Sequence, residues 1–329
     1  MASSPATARS QKGSARRPPP GRSGRSSKGS KYDARETRAA YAFLSPWIIG
    51  LLIFILGPMI WSLVLSFTNY NLVDKPKNVG FRNYERMFDD PRVHTALMNT
   101  FIYAVMFVPL AIGFALFLAM LLNRLTSGAG FFRTTYYLPV MTPAVAVAVL
   151  FSLLLNGNYG LINKALALLG IQGPQWLTDP AWIKPSIVLM SLWGIGGAVV
   201  IFLAALKNVP TVLYEAAAID GASGWQRFRR ITVPMISPAI FFQVIVLTIA
   251  SMQMFDKVYV LFGNPGQKTY AGNASLFYAL YLFQQAFQSL KFGYASALAW
   301  LLFAIIMVIT LIQVKVGNRF VYYEGEERK

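Results

Sequence analysis

Six long apolar runs constrain this chain more than any other feature of its sequence. Each run is close to the roughly 20 residues that a helix needs to cross about 30 Å of hydrocarbon, and none carries a Lys or Arg near its centre. The runs predict six transmembrane helices, near residues 43–67, 100–122, 136–155, 186–206, 239–255 and 294–314. We therefore expect an all-α integral membrane protein with six transmembrane helices.

The composition agrees with one membrane domain and excludes several kinds of chemistry. Of the 329 residues, 55% are hydrophobic and only 13% are charged, unlike a soluble domain. The absence of cysteine excludes disulfides, thiolate metal sites and cysteine nucleophiles. We expect a disordered basic tail, a first transmembrane helix with its outer loop, a domain of five further helices and a C-terminal tail, at residues 1–40, 41–96, 97–314 and 315–329.

The net charge of +17 is concentrated in the first 40 residues, which hold ten of the 30 Lys and Arg. This stretch is rich in Ser, Pro and Gly and has no aromatic residue before Tyr32, which is typical of a disordered tail. We expect it to contact acidic membrane lipid and not nucleic acid, because it leads directly into a membrane span. That first span is much longer than the apolar core of a signal peptide, so we expect it to be retained.

The distribution of basic residues predicts that both termini are cytoplasmic. Six crossings place the two termini on the same side of the membrane. The termini and the loops at residues 123–134 and 207–238 hold 20 Lys and Arg, whereas the other three loops hold 10. Loops on the cytoplasmic side are generally the ones enriched in Lys and Arg.

The loop at residues 207–238 carries two helix signals. Pro210 opens a helical stretch through Glu215, and Gly221 stands where a residue that ends a helix is expected. Ser223 and Gln226 then have the spacing of a capping box, which predicts the start of a second helix. Taken alone, this pattern also fits an ordinary amphipathic loop at the membrane interface.

The residues of this loop resemble a known signature. Glu215-Ala216-Ala217, then Gly221, then Ile231 and Val233-Pro234 are similar to the EAA loop of permease subunits of binding-protein-dependent ABC importers, with Val233 where that family usually has Leu. The longer string at 215–223, with Trp225, Phe228 and Pro238, resembles the carbohydrate-uptake branch. Further similar segments lie at 44–68, 81–84, 99–100, 132–139, 176–180, 255–259 and 293–297.

The resemblance implies a fold, a location and a set of partners. It implies a type I ABC importer permease fold in the bacterial plasma (inner) membrane, with residues 97–314 as the importer transmembrane domain. The partners would be a second homologous permease, two ATPase subunits that bind ATP and Mg, and an extracytoplasmic solute-binding protein. The N-terminal half and residues 321–324 resemble the first of two permease types, so the second permease would be a different chain.

The same resemblance assigns a role to each residue of the loop. The segment from Glu215 to Gly221 would be a coupling helix that docks on the ATPase. Glu215 would pair with an arginine there, and Ala216 and Ala217 would keep the helix thin enough for close packing. Gly221 would permit the turn, and Asp220 would cap or orient it.

We find no catalytic or metal-binding residues and expect neither enzyme activity nor a cofactor in this chain. His94, the only histidine, has no His or Cys partner nearby. Residues 266–269 lack the adjacent Gly-Lys of a phosphate loop, so we interpret them as a turn. The glycines at 194, 196 and 197 do not complete a dinucleotide fingerprint and are better explained by close helix packing.

Polar side chains in the fifth span are candidates for the solute pathway. They are Gln243, Ser251, Gln253 and Asp256, and Trp193 or Tyr259 could stack on a sugar ring. We select Gln253, Asp256 and Tyr259 as pathway residues. Hydrogen bonds between helices are the alternative role for each of them.

One other substrate class and two other kinds of function remain open at this stage. A noncarbohydrate solute such as glycerol phosphate is the alternative substrate, because its permeases closely resemble sugar permeases. An ion-driven secondary transporter would have ionisable groups near the centres of its spans, and a membrane enzyme would have a catalytic cluster. The sequence favours neither.

Overall fold

The computed structural model describes residues 31–125, 128–263 and 273–317. Within those ranges the regular structure is helical, apart from one isolated antiparallel bridge between Thr68 and Asn78. The expected all-α fold is therefore confirmed for the described part of the chain. The chain divides into two compact units, Met1–Pro58 and Met59–Lys329.

Among the described residues, helical structure begins at Lys31, within the predicted tail of residues 1–40. Helix α1 (Lys31–Gly50) continues through a π-helical turn (Leu51–Leu56) into α2 (Gly57–Ser66). The prediction of disorder up to residue 40 is therefore wrong for residues 31–40. The reason is local, because this stretch is rich in Ala, Arg, Glu and Lys, which are strong helix formers. Residues 1–30 of the predicted tail and residues 318–329 lie outside the described residues.

The helices of the second unit follow in chain order. After α2 they are α3 (Arg82–Asp89), α4 (Pro91–Arg124), α5 (Ala129–Tyr137) with a 3-10 turn (Leu138–Met141), α6 (Ala144–Leu154), α7 (Leu161–Leu168), α8 (Pro180–Leu192), α9 (Gly196–Lys207), α10 (Thr211–Ile219), α11 (Gly224–Arg227) with a π-helical turn (Phe228–Thr232), α12 (Val233–Met235), α13 (Ser237–Met252), α14 (Asp256–Phe262), α15 (Tyr278–Phe283) with a π-helical turn (Gln284–Gln288), and α16 (Phe292–Gly317).

Four helical segments among the described residues are long and apolar enough to cross a membrane. They are Glu36–Ser66, Pro91–Arg124, Ser237–Phe262 and Phe292–Gly317. Two bent pairs also pass the same test, Gly130–Met141 with Ala144–Leu154 at 96° and Pro180–Leu192 with Gly196–Lys207 at 54°. The described residues therefore contain four candidate spans, or up to six if each bent pair is one span.

The third and fourth apolar runs are thus broken helices and not straight ones. Pro143 has no backbone N–H and restricts the residue before it, so Thr142 is extended and the helix bends there. The second break falls at Trp193–Ile195, just before the paired glycines that begin α9. Such breaks are tolerated in a membrane protein where other protein segments cover them.

Helix α4 forms the centre of the second unit. It packs against α8, α9, α13 and α15. Tyr103, Phe107, Ala111, Ala115 and Ala119 are all buried along one face at a spacing of four residues. The three alanines let neighbouring helices approach closely, which is the usual means of helix association in lipid.

Asp90 ties the start of α4 to α15 and α16. Its carboxylate caps α4 by accepting the Arg92 backbone N–H at 2.9 Å, and it also accepts the hydroxyls of Tyr281 and Tyr294. The Arg92 and Arg86 guanidinium groups lie over the Tyr281 and Tyr294 rings, at 5.0 and 4.8 Å from the ring centroids.

The ionisation of Asp90 follows from these contacts. Partial burial acts to raise the pKa of Asp90, but the hydrogen bonds from Tyr281, the Arg92 backbone and Tyr294, with the charge of Arg92, lower it below 3.8 overall. Burial and the hydrogen bond to Asp90 raise the pKa of Tyr281 to about 12. At neutral pH the Asp90 carboxylate is therefore ionised and accepts hydrogen bonds, and the two phenols are protonated and donate them.

Gly196 shows why a glycine begins α9. A Cβ at this position would collide with the backbone carbonyl oxygen of Tyr136, at the end of α5. A Cβ on Gly197 would meet no atom within 4 Å. The expectation of close helix packing at this glycine cluster is therefore confirmed at Gly196.

Asp90→Asn should lower the unfolding temperature of the purified protein at pH 7 by a few degrees. A carboxylate whose pKa is lowered by folding stabilises the folded state above its ordinary value of 3.8, and loses this effect as pH falls through the lowered value. The difference from wild type should therefore shrink below about pH 4. Asp89→Asn, at the exposed neighbour, is the matched control. Equal unfolding temperatures at pH 7 would contradict this role of Asp90.

Gly196→Ala should destabilise the protein by about 1–3 kcal/mol, because the new methyl group meets backbone that cannot move aside. Gly197→Ala adds the same methyl group one residue later in open space. It should be neutral or stabilising by up to about 1 kcal/mol. Thermal unfolding in detergent compares the two variants, and equal losses of stability would show that the Tyr136 contact does not limit position 196.

Candidate functional site

The loop at residues 207–238 forms a helix, a bend and a second helix, as the sequence predicts. Helix α10 follows Pro210 and ends in a Schellman motif, in which the Ala222 N–H donates to the Ala217 carbonyl at 2.9 Å and the Gly221 N–H to the Ala218 carbonyl at 3.1 Å. Gly221 has a φ of +74°. This left-handed conformation explains the glycine, since other residues adopt it at a cost.

The second helix, α11, begins with the expected capping box. The Ser223 hydroxyl accepts the Gln226 backbone N–H at 3.3 Å, and the Gln226 side-chain carbonyl accepts the Ser223 backbone N–H at 2.7 Å. Each side chain satisfies a backbone donor that a helix start leaves free. The bend between α10 and α11 is therefore fixed by hydrogen bonds within the loop itself.

One side of the loop is attached to the helix bundle and the other is exposed. Tyr214 bonds through its hydroxyl to Thr232 at 2.9 Å, and Tyr214, Phe228 and Ile231 pack against the buried core. Glu215 and Ala216 on the opposite side are exposed. Val212, Trp225 and Ile219 are exposed apolar side chains, at 67%, 68% and 87%. A thin helix with a carboxylate among apolar groups is suited to contact another protein.

A cavity of about 390 Å³ lies among α4, α8, α9, α13 and α14. One wall is formed by α13, the short segment that follows it and the start of α14, and its residues are Gln243, Val246, Leu247, Ala250, Ser251, Met254 and Lys257. Tyr103 and Phe107 of α4 and the break between α8 and α9 form other walls, including Ser191, Gly194 and Gly197. The volume is within the roughly 300–1,000 Å³ range of ligand sites.

Polar groups are grouped on this mostly apolar wall. The Tyr103 hydroxyl donates to Ser191 Oγ at 2.9 Å, and Lys257 Nζ approaches the same oxygen at 3.4 Å. Gln243 is only 3% exposed, and its amide has no hydrogen-bond partner within the described ranges. The cavity thus presents a cation, three hydroxyls and an amide to any molecule inside it.

Comparison with known families identifies the family to which the chain belongs. The family described as "Binding-protein-dependent transport system inner membrane component" matches residues 91–322. The chain belongs to this family. It is an inner-membrane permease component of ABC transporters, as the EAA-like loop suggested.

Individual relatives align with this permease over nearly their whole length. "Probable ABC transporter permease protein YesP" of Bacillus subtilis is 42% identical over 296 residues, 89% of this chain and 94% of that protein. "Lactose transport system permease protein LacF" of Rhizobium radiobacter is 36% identical over 295 residues, 88% and 94%.

Solved structures of a bacterial alginate ABC transporter have the same fold. One is described as involved in the import of the acidic polysaccharide alginate, with a TM-score of 0.76, 25% identity and coverage of 88% of this permease and 99% of that chain. The other is in complex with an alginate pentasaccharide-bound periplasmic protein, with a TM-score of 0.76, 26% identity and coverage of 88% and 96%.

The three predicted pathway residues of this permease do not line its cavity. Gln253 and Asp256 are exposed, and neither lines the cavity. Tyr259 is half-buried between the rings of Phe255 and Phe283, at centroid distances of 5.2 and 4.9 Å, and also does not line the cavity. Among the polar residues of the fifth span, Gln243 and Ser251 do line it.

Sequence reasoning missed Lys257. The fifth apolar run ends at residue 255 in the sequence, whereas the candidate span continues through α14 to Phe262 and includes this lysine. The available signal was the spacing of polar and small residues from Gln243 onward. His94 is exposed and its Nε2 lies 2.8 Å from the Phe88 carbonyl oxygen. The described residues contain no group of three or more metal-ligating side chains, and residues 266–269 lie outside them.

Gly221→Ala should lower the stability of the folded bend by about 1–2 kcal/mol, because a residue with a Cβ is disfavoured at a left-handed φ. The added methyl group itself meets no atom within 4 Å. Amide hydrogen exchange of residues 211–227 in the purified permease should become faster. Gly224→Ala, in equally open space at an ordinary φ, should leave exchange unchanged. Unchanged exchange in Gly221→Ala would show that the Schellman motif does not fix the loop.

Proposed function

We propose that this permease is one of two membrane subunits of an ATP-driven importer that carries a sugar or oligosaccharide into the cytoplasm. The observation that carries the proposal is the exposed α10 segment, with Glu215 among apolar side chains and a fixed bend at Gly221. The relatives named for lactose and alginate support a carbohydrate as the solute. The polar groups on the cavity wall are of the kind that bind sugar hydroxyls.

The α10 segment is the coupling helix in this proposal. Glu215 pairs with an arginine of the ATPase, and Ala216 and Ala217 allow the close approach that the pairing requires. Gly221 and Asp220 set the direction in which the chain leaves the contact. The ATPase subunits bind ATP and Mg, so this permease by itself neither binds nor hydrolyses ATP.

Assembly completes the pathway. A second, homologous but different permease packs beside this one, two ATPases dock on the loop side, and an extracytoplasmic binding protein delivers the solute, as in the alginate transporter complex with its periplasmic protein. Gln253, Asp256 and Tyr259 line the path near the second permease in this arrangement. Six spans place both termini in the cytoplasm.

Glu215→Ala should abolish most uptake while leaving membrane insertion intact. Losing a charge-assisted hydrogen bond costs about 1.5–3 kcal/mol, which weakens ATPase docking about tenfold or more. Uptake of labelled oligosaccharides and the amount of ATPase that copurifies with the tagged permease measure the two effects. Glu85→Ala, at an exposed glutamate in α3, is the matched control and should behave as wild type.

Two results would overturn the proposal. Normal ATPase copurification and normal uptake by Glu215→Ala would remove the coupling role of α10. Accumulation of solute in liposomes that contain only this permease, driven by an ion gradient, would replace the ATP-driven importer with a secondary transporter.

A further inference from the structure

Lys257 is a cation inside a candidate membrane span, and its ammonium group makes a single, long hydrogen bond within the described residues. Its Nζ lies 3.4 Å from Ser191 Oγ, a long distance for a hydrogen bond. Within the described ranges no carboxylate comes within the 4.0 Å that defines an ion pair with it. The charge of Asp256, its neighbour in sequence, acts on Lys257, but Asp256 is exposed and does not line the cavity.

An ammonium group without a close carboxylate is unfavourable inside a membrane span. A charge removed from water is costly unless it is paired, and ionisable residues within spans generally mark a substrate or ion pathway. Lysine has three N–H donors, and the contact with Ser191 uses at most one of them. The remaining donors are available on a wall of the cavity.

The other groups on the wall suit hydroxyls. Gln243 and Ser251 of α13 line the same wall of the cavity as Lys257 at the start of α14. At about 1.5 Å per residue, Gln243 and Ser251 are roughly 12 Å apart along α13. A solute of one or two sugar rings could contact the amide or a hydroxyl while its charged group lies at the lysine.

We propose that the imported solute is an anionic carbohydrate, and that Lys257 selects it by pairing with its acidic group. This inference rests on the proposed function, since it names the substrate class of the same importer. A neutral sugar leaves the ammonium unpaired, whereas an acidic sugar satisfies it, so the lysine favours one class and disfavours the other. A carboxylate, as in a uronic acid, and a phosphate ester share this chemistry.

The test measures uptake by the complete importer in cells that carry the permease as wild type, Lys257→Met or Lys257→Arg. The labelled probes are digalacturonate and trigalacturonate as carboxylates, glycerol 3-phosphate as a phosphate ester, and maltotriose as a neutral sugar. Lys184→Met is the matched control, because Lys184 is also a half-buried lysine in a span but does not line the cavity. Membrane abundance and ATPase copurification are measured for every variant.

We expect saturable uptake of an anionic probe whose KM rises about tenfold or more in Lys257→Met, as for the loss of one charge-assisted contact. Lys257→Arg should restore most of the affinity, and Lys184→Met should match wild type. Uptake of maltotriose, relative to the anionic probe, should increase in Lys257→Met. A purely structural role of the lysine would reduce the uptake of both probes equally, so this shift in selectivity distinguishes the two.

Each outcome has a defined meaning. Uptake of galacturonates identifies the acidic group as a carboxylate, and uptake of glycerol 3-phosphate alone identifies it as a phosphate. Normal import of a neutral sugar with no effect of Lys257→Met overturns the inference and leaves the proposed importer intact. If deletion of the permease alters the uptake of no probe and of no other carbohydrate, the proposed function itself fails.

Discussion

The interior of a bilayer offers no hydrogen-bond partner to a peptide group, and the helices of this permease follow from that constraint. Backbone groups left free at the two helix breaks must be covered by protein. At the second break, Gly196 brings α9 against the carbonyl of Tyr136 so closely that no side chain fits. The same break contributes Gly194 and Gly197 to the cavity wall. The irregular backbone therefore occurs where a cavity is formed.

The cavity and the exposed loop are joined by two helices. Helix α9 begins at the cavity and ends at Lys207, where the loop starts, and α13 begins at Ser237, where the loop ends, and lines the cavity from Gln243 onward. The twelve residues of α9 are about 18 Å long. The left-handed Gly221 sets the bend after α10, and the hydrogen bond between Tyr214 and Thr232 attaches α10 to the segment that leads into α13. Packed helices transmit displacements as rigid elements.

Features that depend on a few consecutive residues were predictable. The capping box of Ser223 and Gln226 and the helix end at Gly221 follow from chemistry within one turn, and the structure confirms both. The apolar runs coincide with the four candidate spans and the two bent pairs, because lipid selects for length and composition. The predictions differ from the structure at two places. The helix-forming residues 31–40 are helical, and Pro143 bends the third apolar run.

The sequence by itself determined that this chain is helical, membrane-embedded and a member of the permease family, since hydropathy and motif spacing are properties of short segments. Only the tertiary structure decided which polar side chains meet. Asp90 joins Tyr281 and Tyr294, 191 and 204 residues away, and Lys257 shares a cavity with Tyr103 and Ser191. Side chains so distant in sequence come together through helix packing, whose geometry depends on contacts from several elements at once and is not encoded in any one of them.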